Sequence, residues 1–331
     1  MPVKVNQFEY PVLRNPLKLI RDAGFLLAFC LILLSAHIPL TAQNKSNIKF
    51  ERLSTENFKI ERGLSQNSVR CIWQDHRGFM WFGTWDGLNK YDGYGFRVYK
   101  SAGDLSGNFI SNQTVNTIFE DSRNNLWIGT ETGLNLFDRK SQKFRQLWHV
   151  KENRTTISSD SVLCITEDGM GNIWIGTRNG LNKYDPKTGL FRRFFLDPDN
   201  ANSLSSNNIL CLSTDKKGNL FVGTDKGLNI LNLKTGIVTH IYAVSGDALS
   251  LSDDHVNCLT LDDSGRLWIG TDNGLDVLNY RQMRIRHYLN NPRDPNSLSN
   301  NQVFALLKDH RSNMWVGTNG GGLNQIGRAH V

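Results

Sequence analysis

The apolar and polar positions of this chain follow one pattern six times. Each copy has a short apolar segment ending in Gly-Thr, a turn of two residues (three in the sixth copy), and a second apolar segment beginning Gly-Leu. The glycines of Gly-Thr are spaced by 46 and then 47 residues. Short segments with apolar residues on both faces predict strands that are covered on both sides. A period in the forties is typical of propeller blades. The six segments are Trp81–Thr84, Trp127–Thr130, Trp174–Thr177, Phe221–Thr224, Trp268–Thr271 and Trp315–Thr318.

The copies align as four strands and four turns, which predicts an all-β fold, a β-propeller of four-stranded blades. In the third copy we predict strands over 162–166, 173–177, 181–184 and 191–196. The intact ring is expected to have seven blades, of which six are present in partial or complete form. They are predicted near residues 63–109, 110–156, 157–203, 204–250, 251–297 and 298–325, the last of them truncated.

Both ends of the chain depart from the repeat. Residues 1–42 have a basic start, an apolar run and a small-residue end, which predicts a secretory signal peptide and an exported, periplasmic location. Cleavage after Ala42 is the expectation, and an uncleaved signal anchor is the alternative. Residues 43–62 contain a strand-like stretch, 48–53, that we expect to close the ring by completing the last blade. Residues 326–331 are expected to be a non-native end.

Side chains that repeat in every blade predict structure. Trp127, Trp174, Trp268 and Trp315 are expected in the core, because Phe221 takes the same place in the fourth copy. An aspartate precedes this aromatic residue by six positions in every copy, where its carboxylate can accept backbone N–H groups of a turn. These aspartates are Asp75, Asp121, Asp168, Asp215, Asp262 and Asp309. Glycines at the same turns, such as Gly78 and Gly171, are expected to adopt positive φ.

Four cysteines occupy one repeat position, ten residues before the Trp or Phe. Cross-linking successive copies of that position would require close Cα atoms and converging Cβ vectors at the same time. We therefore expect small, buried, free thiols at Cys71, Cys164, Cys211 and Cys258.

Composition and charge exclude several classes of function. The net charge of +7 is not concentrated in a basic stripe, so no nucleic-acid binding is predicted. The histidines fall at different repeat positions without metal-ligand spacing. No phosphate loop and no Ser or Cys, His and acid set is evident. We predict no metal, no cofactor and no catalytic residue.

Candidate ligand contacts come from turns that vary between blades. The turn after Gly-Thr and the segment entering the innermost strand are expected to open on one face of the propeller. Amides, carboxylates and one exposed aromatic residue together suit the hydroxyl groups and ring faces of a glycan, although surface turns are also polar simply because they contact water. The candidates are Trp85, Asp86, Glu131, Arg178, Asn179, Asp225, Asp272 and Asn273 after Gly-Thr, and Asn67, Asp160 and Asp254 at the inner entry.

The motif Gly-Leu-Ser-x-Asn-x-Val at 63–69, with Asp75-x-x-Gly78-x-x-Trp81-Phe82-Gly83-Thr84 and Gly-Leu-Asn-Lys-Tyr-Asp at 87–92, resembles the two-component regulator propeller repeat. The resemblance covers about residues 48–325. It implies the periplasmic sensor region of a hybrid histidine kinase of the Bacteroidetes type, anchored in the inner membrane and often linked to polysaccharide use. No kinase module is present in this sequence, so no enzymatic activity is expected of it.

Three hypotheses follow. The first is a sensor that binds an extracellular oligosaccharide and pairs as a homodimer, through the propeller or through further domains. The second is an exported propeller enzyme, a lyase or a glycoside-active protein, whose carboxylates would come from Asp160 and Asp254. The third is a secreted protein-binding scaffold.

Overall fold

The structure is a computed structural model that describes residues 63–101, 109–247 and 249–326. The predicted leader, the N-terminal strand and residues 327–331 lie outside these ranges. The described residues form six antiparallel sheets and no helix. Blade 1 comprises β1 (Val69–Gln74), β2 (Met80–Thr84), β3 (Gly87–Tyr91) and β4 (Phe96–Tyr99), and blade 2 comprises β5 (Val115–Glu120), β6 (Leu126–Thr130), β7 (Gly133–Asp138) and β8 (Lys143–Leu147).

The remaining blades repeat this order. Blade 3 is β9 (Val162–Glu167), β10 (Ile173–Thr177), β11 (Gly180–Asp185) and β12 (Leu190–Phe194), and blade 4 is β13 (Ile209–Thr214), β14 (Asn219–Thr224), β15 (Gly227–Asn232) and β16 (Val238–Ile241). Blade 5 is β17 (Val256–Leu261), β18 (Leu267–Thr271), β19 (Gly274–Asn279) and β20 (Arg284–Tyr288), and blade 6 is β21 (Val303–Lys308), β22 (Met314–Thr318) and β23 (Gly322–Ile326).

The propeller prediction is confirmed. Each sheet is a meander in chain order, and the first strands of successive blades contact one another, which places them innermost. One strand boundary differs from the expectation. The fourth strand of blade 3 ends at Phe194 rather than at residue 196, because the Leu196 N–H donates to Asn207 Oδ1 (2.7 Å) in the following loop. In blade 6, β23 runs to Ile326, which pairs with Met314.

The core lies between the blades. Trp81 and Leu88 of blade 1 are fully buried against Ile118 and Ile128 of blade 2, and the same contact recurs at the later interfaces. Of the four predicted core tryptophans, Trp127, Trp174 and Trp268 are 1%, 2% and 6% exposed, and Phe221 is fully buried. Trp315 is only partly buried, because blade 6 has no following blade among the described residues. Burial of large aromatic side chains between adjacent sheets removes more apolar surface from water than the isolated sheets could remove. The blades therefore stabilise one another.

The expected free thiols lie at these interfaces. Cys71, Cys164, Cys211 and Cys258 form no disulfide, as predicted, but only Cys211 is buried as a whole residue and the other three are partly buried. Each Sγ donates to a backbone carbonyl at the start of the first strand of the next blade, and the shortest contact, from Cys211 to Val256 O, is 3.3 Å. Burial raises the pKa of Cys71 and of Cys258 to about 12, so these groups are neutral and unreactive thiols.

The repeated aspartate accepts bonds from its turn, as predicted, and also from the core. Asp75 Oδ1 accepts from the N–H groups of Arg77 and Phe79, and Gly78 has φ of 85°. Asp75 Oδ2 accepts the indole N–H of Trp81 at 2.9 Å. The same indole bond, at 2.8 to 3.0 Å, is present in blades 2, 3, 5 and 6. One buried carboxylate thus fixes both a turn and the central aromatic residue of the blade.

Blade 4 lacks this indole, because Phe221 has no N–H group. Its carboxylate, on Asp215, instead accepts the hydroxyl of Tyr280 from blade 5 at 3.1 Å, and the Tyr280 ring contacts the Phe221 ring at a centroid distance of 4.9 Å. The neighbouring blade therefore supplies the donor that the Trp-to-Phe exchange removes.

Tyr280→Phe is expected to lower the free energy of unfolding by about 1 to 2 kcal/mol, because it removes one bond to a charged acceptor. Urea unfolding followed by tryptophan fluorescence measures the change. Tyr94→Phe, at a side chain that is 89% exposed, is the control and should have no effect. An equal loss in both variants would contradict the role of the hydroxyl.

The expected seventh blade stays a prediction. The face of blade 6 that lacks a neighbour among the described residues is open, since Leu323 is 54% exposed. Its five equivalents are fully buried, namely Leu88, Leu134, Leu181, Leu228 and Leu275. On the opposite open face, Val69 of blade 1 is 37% exposed, whereas its equivalents Val115, Val162, Ile209, Val256 and Val303 are fully buried.

Candidate ligand-binding mouth

The loops of each blade fall on two ends because consecutive strands run in opposite directions. The turn after Gly-Thr and the segment that enters the innermost strand therefore lie at the same end, as expected. The first residue after each Gly-Thr pair defines a rim, which we call the mouth. The mouth residues are Trp85, Glu131, Arg178, Asp225, Asp272 and Asn319.

In every blade the mouth side chain turns toward the innermost strand. In blades 2 and 3, Glu131 accepts from Asn116 Nδ2 (3.2 Å) and pairs with Arg178 Nε (3.2 Å), which also donates to Ser161 Oγ (3.1 Å). Burial by itself would raise the pKa of Glu131, but the Asn116 bond and the Arg178 charge outweigh it and lower that pKa. The carboxylate at this point of the mouth is therefore ionised and bridges two blades.

Blades 4 to 6 repeat this arrangement with other groups. Asp272 accepts from Asn257 Nδ2 (2.8 Å) and lies 2.9 Å from His255 Nδ1. In the neighbouring blades, Asp225 accepts from Asn208 Nδ2 (3.3 Å), and Asn319 donates to the side-chain oxygen of Gln302 (2.7 Å). The mouth thus offers donors and acceptors whose identity changes from blade to blade on a constant backbone.

Blade 1 contributes the aromatic part of the mouth. Trp85 is 53% exposed, and the guanidinium of Arg70, from the second position of β1, lies over its indole at 4.4 Å from the ring centroid. Sequence reasoning found Trp85 but missed Arg70, as it missed Asn116 and Asn257 at the same position of their strands. The sequence feature that could have indicated these residues is the variation in residue type at the second position of each innermost strand.

The second turn residue does not join the mouth. Asp86 pairs with Lys100 Nζ at 2.7 Å, toward the outer strand, and Asn273 donates to Ser252 O at 3.5 Å. Asn179 is exposed, and its backbone N–H donates to Thr177 Oγ1. These three predicted candidates lie at the same end of the blades but behind the rim.

The candidates at the inner entry have structural contacts. Asp160 Oδ1 accepts the His149 N–H (2.6 Å) and Asp254 Oδ1 accepts the Ala243 N–H (2.7 Å), each at the end of the preceding outer strand. Their carbonyls accept the N–H groups of the turn glycines Gly133 and Gly227. Asn and Asp interchange here because only the Oδ1 acceptor is used, and these two carboxylates are engaged in linking blades. Asn67 occupies the equivalent position in blade 1 and is exposed.

The network behind the mouth is nearly invariant. In blade 3, Asn182 accepts the Ser158 N–H (2.8 Å) and donates to Ser158 Oγ, which contacts Thr177 Oγ1. Blade 5 has Asp276 in place of the asparagine, fully buried and 2.7 Å from His287 Nδ1. Burial raises the pKa of Asp276, against the effect of its bonds to Ser252 and His287. This network fixes the Gly-Thr turns that carry the mouth residues.

Two cavities lie away from the mouth. One, of about 420 Å³, is lined by residues such as Phe195, Asn202 and Leu231 between blades 3 and 4. The other, of about 550 Å³, lies at the aspartate-turn end between blades 1 and 2 and includes Arg123 and Arg139. Arg139 pairs with Asp75 and Glu120, so it links these blades.

In the described ranges no helix has the length and apolar character needed to cross a membrane.

The fold and the mouth define a β-propeller with a constant frame and a variable polar rim. The two-component regulator propeller repeat matches residues 63–86, 109–132, 156–179, 203–226, 250–273 and 297–320, one match in each blade. The chain therefore carries six two-component regulator propeller repeats.

The chain is similar to a histidine kinase and to extracellular domains of hybrid two-component systems. The chain is 48% identical over 64 residues to Histidine kinase P4 of Formosa agariphila, a match that covers 19% of this chain and 4% of that protein. It is similar to the extracellular domain of a putative hybrid two-component system from B. thetaiotaomicron, with 27% identity and a TM-score of 0.63, over 81% of this chain and 41% of the other. A second such extracellular domain from that organism has 24% identity and a TM-score of 0.56, over 78% and 38%. The chain thus spans less than half the length of these relatives.

Proposed function

We propose that residues 63–326 belong to the exported sensor region of a hybrid two-component signalling protein and bind an oligosaccharide at the mouth. The similarity to extracellular domains of hybrid two-component systems supports the sensor role. The observation that carries the ligand class is the composition of the rim, where an exposed indole lies among side-chain donors and acceptors.

Each part of the mouth suits a sugar. The exposed surface of Trp85 can stack on the apolar face of a pyranose ring, and the carboxylates and amides of blades 2 to 6 can accept from or donate to hydroxyl groups. Because the rim is anchored to six innermost strands, little side-chain entropy is lost on binding. Signal output requires domains beyond these repeats, so the described blades are proposed to bind and not to catalyse.

Trp85→Ala is expected to weaken oligosaccharide binding at least tenfold, because it removes the stacking surface while leaving the core unchanged. A panel of plant and algal oligosaccharides is first screened by thermal shift, and the affinity of the best binder is then measured by calorimetry. Trp148→Ala is the matched control, since Trp148 is 42% exposed but follows an outer strand.

The control should bind within about twofold of the unchanged protein. Equal affinity of both variants would place the site away from the mouth. Failure of every oligosaccharide to bind or to raise Tm would overturn the proposed function and favour a protein-binding scaffold.

A further inference from the structure

Arg70 and Trp85 depart from the repeat at two positions that meet in space. The equivalents of Trp85 are polar, and those of Arg70 carry no charge: Asn116, Leu163, Leu210, Asn257 and Phe304. Two separate departures from a six-fold pattern that end in one contact, at 4.4 Å, indicate a specific role in blade 1. Packing does not require them, because five other blades have the same frame without them.

The guanidinium of Arg70 is available to a ligand. Arg70 is exposed and has no hydrogen bond or ion pair to any described residue. Its stacking on Trp85 orients the planar group and leaves its N–H donors at the edge, where they match the two oxygens of a carboxylate or sulfate. Because the guanidinium lies next to the exposed indole, a ligand whose sugar ring contacts Trp85 can place an anionic substituent against Arg70.

The other charged side chains of the mouth have polar partners. Glu131 forms an ion pair with Arg178, Asp272 contacts His255 and accepts from Asn257, and Asp225 accepts from the neutral amide of Asn208. Just behind the rim, Lys100 is paired with Asp86. Arg70 is therefore the cation in contact with Trp85 that has no hydrogen-bonded or ionic partner among the described residues, and its sign favours an anion.

We propose, on the basis of the proposed function, that the Arg70 and Trp85 pair selects an acidic sugar, one that carries a carboxylate or a sulfate group. Trp85 contacts the ring of this sugar and Arg70 binds its anionic group, while the remaining rim contacts neutral hydroxyl groups. The pair thus determines which oligosaccharides the mouth accepts.

The test compares acidic oligosaccharides with neutral forms of the same sugars by calorimetry at low and high salt. The probes are trigalacturonate with its methyl ester, and a sulfated galactose trisaccharide with its desulfated form. Whichever pair binds, we expect the acidic form to bind at least tenfold more tightly at low salt, with a preference that falls as salt screens the charge. The two pairs distinguish a carboxylate from a sulfate.

Arg70→Gln should reduce that preference to about twofold or less and leave the affinity for the neutral form unchanged. Arg97→Gln is the matched control, because Arg97 stacks on Tyr99 at 5.0 Å in the same blade but on the outer strand, and it should keep the full preference.

Four results would contradict the inference. Equal binding of acidic and neutral forms, or a preference that survives Arg70→Gln, overturns it and leaves the proposed function standing. Binding of neutral oligosaccharides together with no binding of either acidic probe does the same. If no oligosaccharide binds at all, the proposed function fails, and the inference fails with it.

Discussion

Gly223→Ala is expected to destabilise the propeller by about 3 kcal/mol and to lower Tm by about 6 to 12 °C. A Cβ atom on Gly223 would lie 2.4 Å from Cys211 Sγ and 2.6 Å from Val256 Cγ1. The first contact is within blade 4 and the second is with blade 5, so the new methyl group meets short, buried side chains on two sides. Since β14 is paired with strands on both edges, its backbone cannot move away from the contact.

The chain provides a matched control at the same repeat position. Gly317 of blade 6 has only Ala305 nearby, with its Cβ at 3.3 Å, and no following blade among the described residues. Gly317→Ala should therefore cost less than about 1 kcal/mol. Calorimetric unfolding of both variants measures the difference. A similar loss at the two sites would show that the conformation of the strand, and not the contact between blades, requires glycine.

We expect acid to destabilise the protein more than protonation of its exposed carboxylates alone would explain. Hydrogen bonds from indole, amide and backbone N–H groups outweigh burial and lower the pKa of Asp75, Asp168 and Asp215, and they lower the pKa of Asp262 and of Asp309 to about 2. A carboxyl group with a folded pKa below its unfolded value binds protons more weakly in the native state. Its stabilisation is complete above about pH 5 and is lost as the pH falls from 4 toward 2.

We expect Tm to fall by more than about 10 °C between pH 6 and pH 3, because the repeated aspartates of five blades lose their stabilising effect over the same pH range. Asp168→Asn tests the cause. Asp168 is 4% exposed and accepts the Trp174 indole N–H at 2.8 Å and the N–H groups of Met170 and Asn172, so the amide should lower Tm at pH 7.

The difference in Tm between the unchanged protein and Asp168→Asn should narrow as the pH falls from 4 toward 2, because protons then bind preferentially to the unfolded carboxyl group and remove the stabilisation by ionised Asp168. Asp199→Asn, at an exposed loop carboxylate, is the control and should change neither Tm nor its pH dependence. A gap that stays constant from pH 7 to pH 3 would mean that the ionised form of Asp168 does not stabilise the blade.

The repeat determined most of the fold without a structure. Residues that recur at a fixed position experience the same environment in every blade, so the recurrence of Trp174 and its equivalents indicated burial, and that of Asp168 and its equivalents indicated a turn. The cysteine position likewise predicted free thiols, because successive copies of one strand position do not converge. The period of the repeat, 46 to 47 residues, and the short apolar strand segments within it are sufficient for these conclusions.

Contacts between repeats could not be predicted in this way. The substitution of Tyr280 for a missing indole, the linking role of Asp160 and Asp254, and the stack of Arg70 on Trp85 each join side chains whose proximity depends on how strands pair and how blades pack. The sequence placed eleven polar or aromatic candidates at one end of the blades. Only the tertiary structure separated the five that face the innermost strands from the six others, because two adjacent residues of one turn point in different directions.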